Sequence, residues 1–233
     1  MESSFLENKY LLISLTFLIY IGAQKLQKVC GLKLLNPILI TMCVMMCYLL
    51  SFNIDYDTYQ EGGRFIEFWL KPAIVALGVP LYKQLSTIRR QMLPLLIAEI
   101  AGCVAGLFSV IIIARFLGAS QEVVMSLAPK AVTTPIAMEV SSAIGGIPAL
   151  TAAVVVSTGV FGGIAGFQII KYSKIKSSIA GGLSIGTAAH AIGTSAAMEQ
   201  SERYGAYSSL GLTVNGLLTA LLAPFLLEIM GLL

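Results

Sequence analysis

Long stretches without charged residues dominate the chain, and each is about as long as one crossing of a membrane. A helix needs about 20 mainly apolar residues to cross roughly 30 Å of hydrocarbon. Four uncharged stretches meet or approach that length: residues 10–24, 34–54, 147–170 and 204–227. The first is short and needs flanking residues to complete the span. The pattern therefore predicts four transmembrane helices.

Two more apolar stretches, residues 65–82 and 93–116, are interrupted by charged side chains, Lys71 and Glu99. A charge at the centre of a bilayer costs about 3 kcal/mol or more unless it faces protein or water. Both helices are therefore expected to turn these residues inward. Pro72 removes a backbone donor and disfavours helical geometry at Lys71, which predicts a kink there. These stretches bring the prediction to about six spans.

Lysines and arginines cluster after every second span. The clusters are Lys25, Lys28 and Lys33, then Lys83, Arg89 and Arg90, then Lys171, Lys174 and Lys176. Basic residues in short loops favour the cytoplasmic side of a membrane. This alternation predicts that the three basic loops are cytoplasmic and that both termini are external.

Two segments between the spans are too long for simple loops and too short for two further crossings. If the basic loops stay cytoplasmic, residues 121–146 must leave and return to the outer side, and residues 177–204 must do the same on the inner side. At 1.5 Å per residue, each segment has room for two half-length helices. We predict two inverted re-entrant hairpins, or broken helices, that meet near the bilayer midplane. This all-α integral membrane architecture is typical of secondary transporters.

The two segments also repeat each other in sequence. Residues 130–139 read KAVTTPIAME, and residues 190–199 read HAIGTSAAME. The first copy begins with Lys130 where the second begins with His190. A polar, helix-breaking element that occurs twice in an apolar chain indicates a site where the two copies meet.

The residues inside each copy predict where the chain reverses. In the first copy, Thr134 is expected to cap a new helix that begins at Pro135. In the second copy, Gly193 is expected to break the chain, and Thr194 or Ser195 to cap the helix that follows. The amides at the start of such helices carry a partial positive charge, so they favour an anion between the two tips.

Small residues spaced four apart predict close packing between helices. They are Ala98, Gly102 and Gly106, Gly162 and Gly166, and Gly182 and Gly186. Without bulky side chains at these positions, two helix backbones can approach each other closely.

Composition supports the membrane assignment and limits the chemistry. The chain is 57% hydrophobic and 12% charged, with a mean hydropathy of +0.85, which leaves too little polar surface for a water-soluble globule. Its four cysteines lack a spacing typical of metal or redox sites, and no pairing of nucleophile and base stands out. We therefore expect no enzyme activity, no cofactor, no metal and no nucleic-acid partner.

The two repeated motifs and several flanking segments resemble the LrgB/CidB family of membrane proteins. The segments that carry the resemblance are residues 129–141, 144–147, 186–194, 205–209, 36–37 and 80–83. The similarity extends over nearly the whole chain and implies one LrgB-like transmembrane domain, residues 1–233. Within it we assign residues 1–117 to four scaffold spans, 121–170 to the first hairpin repeat and 177–233 to the second.

The resemblance implies a multi-pass protein of the bacterial inner membrane. Members of this family are grouped with holin-like and antiholin-like regulators of murein hydrolase activity and cell lysis. Related proteins include pyruvate carriers and the plastid glycolate/glycerate translocator. The family also implies a small membrane companion of the LrgA/CidA type, and we further expect a homo-oligomer.

Architecture and resemblance together suggest a secondary carrier of a small monocarboxylate such as pyruvate, lactate, glycolate or glycerate. In this hypothesis Lys130 supplies a fixed positive charge for the carboxylate. His190, whose reference pKa is about 6.5, is the candidate for a proton that moves with the anion. The other substrate-binding candidates are Thr133, Thr134, Thr194 and Ser195, and the supporting candidates are Glu139, Glu199 and Asn215.

Each assignment has an alternative. Lys130 and Glu139 lie on the two arms of one predicted hairpin and could neutralise each other, since buried charges need partners. His190 could be a structural hydrogen-bonding residue, or it could pair with Glu199. The alternative for the whole protein is a holin-like or antiholin-like membrane protein that regulates murein hydrolase activity and cell lysis and moves no metabolite.

Overall fold

The computed structural model describes residues 8–31, 35–76 and 78–232. Every regular element in these ranges is an α-helix, as the sequence predicts. The helices belong to two compact units, Met1–Ala76 and Leu77–Leu233. The second unit contains both copies of the repeated motif.

The described part of the first unit contains three helices. They are α1 (Lys9–Cys30), α2 (Pro37–Ser51) and α3 (Tyr56–Ala76). Asn8 and Asn36 cap α1 and α2, because each side-chain oxygen accepts a hydrogen bond from the main-chain amide two residues later (2.9 Å in both cases). These bonds satisfy amides that have no partner within the helix. Leu12, Met45 and Ile54 form the buried centre of the unit.

Helix α1 confirms the first predicted span, because it is long and apolar enough to cross a membrane. Helix α2 has 15 residues, fewer than the stretch 34–54 predicts. The predicted span 65–82 falls on two helices, since α3 continues through Pro72 and α4 (Gly78–Lys83) follows it. A helix can contain an interior proline at the loss of one backbone hydrogen bond, so α3 does not end there. The side chain of Lys71 lies outside the described residues.

The described part of the second unit contains eight helices. They are α4 (Gly78–Lys83), α5 (Leu85–Arg90), α6 (Met92–Phe116), α7 (Gln121–Leu127), α8 (Thr134–Ala143), α9 (Pro148–Tyr172), α10 (Ser178–Gln200) and α11 (Glu202–Ile229). Helices α6, α9 and α11 have 25, 25 and 28 residues and are long and apolar enough to cross a membrane. They confirm the spans predicted over residues 93–116, 147–170 and 204–227.

Two short helices lie between α6 and α9, where the sequence predicts the first hairpin. Helix α7 has 7 residues, α8 has 10, and residues 128–133 connect them. The predicted cap is one residue off, because Thr133 is the N-cap of α8 and Thr134 is its first helical residue. Proline is accepted throughout the first turn, whose amides have no partner in the helix, so Pro135 does not have to come first.

Buried hydroxyl groups fasten these two helices to the start of α9. The hydroxyl of Thr151 lies 2.7 Å from the hydroxyl of Ser141 and 2.9 Å from the carbonyl oxygen of Ser126. The main-chain amide of Ile147 donates to the hydroxyl of Ser126 (2.7 Å). Because the three hydroxyl residues are buried, these bonds also remove the cost of unpaired polar atoms. The network links α7, α8 and α9.

The second copy of the motif lies in one broken helix rather than in a hairpin. Helix α10 is interrupted at His190, whose backbone angles (φ 41°, ψ −137°) are not helical. The predicted break at Gly193 is therefore wrong. Gly193 lies inside the helix, where an added β-carbon would come within 2.5 Å of Ala189, so its small size serves packing.

The predicted caps Thr194 and Ser195 are also wrong. Each side-chain hydroxyl donates to a main-chain carbonyl oxygen one turn earlier, Thr194 to His190 (2.8 Å) and Ser195 to Ala191 (3.1 Å). This backward bond is the usual arrangement of a hydroxyl inside a helix. Because the break is at His190, the second half of α10 starts directly after it and already contains both residues.

Glycines allow α9, α10 and α11 to pack with their backbones close together, as predicted. A β-carbon on Gly162 would come within 2.1 Å of Ala189, and one on Gly186 within 2.0 Å of the carbonyl oxygen of Ser208. On α6, a β-carbon on Gly102 would come within 3.3 Å of Thr187 of α10, whereas none of the described atoms lies within 4 Å of one placed on Gly106. That glycine lines a cavity instead of a helix contact.

Apolar side chains cover the outer surface of α11. Leu217, Leu221 and Phe225 recur every four residues, and each is more than half exposed. An apolar stripe of this kind is costly in water. It fits the bilayer that the length and composition of the helices indicate, and the protein is an all-α membrane protein.

Candidate functional site

A cavity of about 340 Å³ lies in the second unit, between α6, the turn after α7, α10 and α11. Small residues such as Gly102, Gly106 and Ala188 leave room for it. The polar side chains that line it are Glu99, Cys103, Lys130, Ser184, Thr187, Asn215 and Thr219. Its volume falls in the range of pockets that hold small molecules, about 300–1,000 Å³.

Lys130 lies in the turn between α7 and α8 and lines the cavity. The residue is partly buried. Within the described parts of the chain, the one ion pair joins Lys83 to Glu202 (2.5 Å), so no carboxylate there lies within 4 Å of the Lys130 ammonium group. Glu139, the partner considered from the sequence, is exposed on α8. The positive charge of Lys130 is therefore available to a ligand.

Asn215 of α11 ties the turn of the first motif copy to α10. Its side-chain nitrogen donates to the carbonyl oxygens of Ala131 (3.1 Å) and Thr187 (3.0 Å). Ala131 follows Lys130 in the first copy, and Thr187 precedes the break at His190. Asn215 is 2% exposed, and its side-chain oxygen has no hydrogen-bond partner in the described ranges. A buried, unpaired oxygen beside a cavity can accept a hydrogen bond from a ligand.

Glu99 faces the cavity from α6, which confirms the prediction that this charged residue turns inward. It is 1% exposed. The hydroxyl of Thr187 donates to its Oε1 atom (2.7 Å), whereas Oε2 has no partner among the residues that the structure describes. A carboxyl group buried in this way costs free energy unless a proton or a ligand satisfies its second oxygen. The sequence shows Glu99 only as a charge inside an apolar span, and no pattern in it singles out Thr187.

His190 is buried, and it does not line the cavity. Its ring nitrogen Nε2 donates to the main-chain carbonyl oxygen of Val155 on α9 (2.8 Å). A β-carbon on Gly159 would come within 2.5 Å of the ring, so this glycine makes room for it. Glu199 is exposed and forms no ion pair with His190. This geometry fits a structural bond between α9 and α10, and a role of His190 in proton coupling stays a prediction.

The four hydroxyl residues predicted to bind substrate lie outside the cavity wall. Thr133 and Thr134 are partly buried at the start of α8. Thr194 is fully buried, and its hydroxyl lies 2.9 Å from the hydroxyl of Ser208. Ser195 is exposed on α10. Of the candidates predicted from the sequence, the cavity thus gathers the lysine and the asparagine.

Comparison with known proteins identifies the family of the chain. Residues 16–229 match the LrgB-like family. The chain belongs to the LrgB-like family. The match spans both copies of the repeated motif and nearly the whole length, which confirms the resemblance seen in the sequence. No solved structure matches the chain.

Relatives of similar length support the assignment to the LrgB-like family. The chain is 38% identical to the uncharacterized protein YwbG of Bacillus subtilis (strain 168), over 93% of this chain and 96% of the relative. It is 33% identical to the holin-like protein CidB of Staphylococcus aureus (strain N315), over 93% of this chain and 95% of CidB. It is 34% identical to the antiholin-like protein LrgB of Bacillus cereus (strain B4264), over 86% and 87% respectively.

Thr194→Val should destabilise this LrgB-like protein by about 1–3 kcal/mol, because the change leaves the buried hydroxyl of Ser208 without its partner. The adjacent Ser195→Ala serves as the control, since that hydroxyl is exposed and bonds only within its own helix. Thermal unfolding of the purified variants in detergent measures the difference. Equal melting temperatures for the two variants would contradict the structural role of Thr194.

Proposed function

We propose that this protein is a holin-like or antiholin-like protein of the bacterial cell membrane that regulates murein hydrolase activity and cell lysis. The observation that supports this proposal is the similarity to CidB and LrgB over nearly the full length of each chain. The proposed partner is a small membrane protein of the LrgA/CidA type, and the proposed assembly is an oligomer.

Deletion of the gene in its native host tests this function. We expect the deletion strain to differ from the parent in its rate of autolysis and in the murein hydrolase activity of its extracts. A plasmid copy expressed at the parental membrane level should restore both. An unchanged autolysis rate and unchanged hydrolase activity after deletion would contradict the proposal.

A second candidate function, a secondary carrier of a small monocarboxylate, is favoured by the cavity itself. Its wall carries one lysine whose charge is not paired within the described residues, and its volume is suited to a small anion. Its wall includes the turn between α7 and α8 and the part of α10 just before the break at His190, and transporter binding sites are often built from interrupted helices of this kind. Lys130 would hold the carboxylate. Thr133 and Thr134, at the start of α8, would help to position the turn that carries Lys130.

Uptake into proteoliposomes tests the carrier function and separates it from a pore. We expect labelled pyruvate, lactate or glycolate to enter with a saturable rate, and unlabelled substrate inside the vesicles to speed exchange. A calcein-loaded vesicle should keep its dye. Dye release together with non-saturable entry would indicate a pore and contradict the carrier proposal.

A further inference from the structure

The cavity contains two opposite charges that do not contact each other. Glu99 enters from α6 and Lys130 from the turn between α7 and α8, and the two side chains form no ion pair within 4 Å. Both belong to the wall of the same cavity, so the charge of anything bound there adds to theirs. An isolated charge buried among membrane-spanning helices is unfavourable. The total charge in the cavity therefore decides which protonation and binding states are populated.

Glu99 has the geometry of a carboxyl group that can hold a proton. Its Oε1 atom accepts from the hydroxyl of Thr187, which leaves Oε2 for the proton. A protonated carboxyl both donates and accepts, so Oε2–H can serve a ligand or a water molecule in the cavity. The side chain is 99% removed from solvent, yet it borders a space that connects it to the other cavity groups.

Few other groups that face Glu99 can titrate. On its own helix the cavity contains Cys103, and from the turn after α7 it contains Lys130. The polar residues that α10 and α11 contribute to the cavity wall are Ser184, Thr187, Asn215 and Thr219, which carry no charge. His190 of α10 is turned toward Val155 on α9 and does not line this space.

We propose that Glu99 is a reversible proton-binding site of the cavity, linked to the presence of an anion beside Lys130. When the cavity is empty, an ionised Glu99 balances the charge of Lys130. When a monocarboxylate binds Lys130, a proton on Glu99 keeps the total charge at zero. One proton thus accompanies one anion, and neither state leaves a net charge inside the membrane. This linkage rests on the carrier function proposed above.

Carbodiimide labelling tests the proton site without any transport. Dicyclohexylcarbodiimide reacts with protonated carboxyl groups in apolar surroundings, and mass spectrometry locates the adduct. We expect an adduct on the peptide that contains Glu99, with a yield that falls as the pH rises, and no such adduct in Glu99→Gln. Glu122, an exposed carboxylate on α7, should stay unlabelled. No adduct at Glu99 at any pH, or equal labelling of Glu122, would overturn the proposal.

Transport driven by a pH gradient tests the linkage. Glu99→Gln should lose at least tenfold in gradient-driven accumulation and lose less in exchange at equal pH, because glutamine cannot carry the proton. Glu122→Gln should match the wild type in both. If His190→Gln uncoupled uptake from the gradient and Glu99→Gln did not, the proton site would be His190 and the proposal would fail. If the wild type moved no carboxylate at all, the carrier function would fail, while the labelling result would still decide whether Glu99 binds a proton.

Discussion

Gly186→Ala is expected to lower the free energy of unfolding by about 3 kcal/mol or more. The new β-carbon would lie 2.0 Å from the carbonyl oxygen of Ser208 and 2.9 Å from the main-chain nitrogen of Leu212. Both are backbone atoms of α11, and a backbone cannot turn aside as a flexible side chain can. Helices α10 and α11 would have to separate along the contact that joins the second motif to the last span.

The matched control is Gly163→Ala on α9, where the nearest atom to an added β-carbon is a methyl group of Ile192 at 3.7 Å. Cys103 is buried and can report unfolding when the exposed cysteines Cys30, Cys43 and Cys47 are replaced by serine. A thiol-reactive dye then measures the melting temperature, because its reaction with the buried thiol of Cys103 speeds up sharply when the fold opens. Equal melting temperatures for the two alanine variants would show that α10 and α11 are not packed this closely.

Lys130→Gln is expected to weaken the binding of a small monocarboxylate by about ten- to a hundred-fold, since a hydrogen bond to a charged group is worth about 1.5–3 kcal/mol. Glutamine keeps a similar length and a polar end but removes the charge. No other lysine or arginine lines the cavity among the described residues, so none can replace it. Equilibrium binding of labelled pyruvate, lactate and glycolate to the purified protein measures the loss.

Two variants serve as controls for Lys130→Gln. Lys130→Arg keeps the positive charge and should retain most of the affinity. Lys171→Gln removes an exposed charge at the end of α9, outside the cavity wall, and should bind as the wild type does. Wild-type affinity in Lys130→Gln would show that the anion does not bind beside this lysine.

The spans could be predicted from the sequence because a bilayer imposes a simple length rule. Residues 93–116, 147–170 and 204–227 each became one long helix, since uncharged apolar runs of this length have few other stable states. The position of the break in α10 could not be predicted from the sequence. A glycine at position 193 is typical of a helix break, but here its lack of a side chain allows close packing against Ala189. The break falls on His190, which has a positive φ and bonds to Val155 of another helix.

The candidate site was predictable in part, since Lys130 and Asn215 were both candidates from the sequence and both line the cavity. Lys130 lies in the turn of the first copy and lines the cavity. Thr194 aligns with Thr134 in the repeat, but its hydroxyl is hydrogen-bonded to Ser208 away from the cavity. Thr187 lines the cavity and donates a hydrogen bond to Glu99, which is 88 residues away in the sequence. No local sequence pattern predicts such a contact. Contacts between helices that are distant in the sequence depend on tertiary packing, which cannot be read from the sequence alone.

A chromosomal Lys130→Gln substitution in the native host tests the central claim most directly. The claim is that this holin-like or antiholin-like membrane protein needs its cavity to affect autolysis. At wild-type levels of protein in the membrane, we predict that the Lys130→Gln strain lyses at the rate of the deletion strain, while a Lys171→Gln strain lyses at the parental rate. A parental rate in the Lys130→Gln strain, alongside an altered rate in the deletion strain, would contradict the account, because the protein would then act on lysis without its cavity.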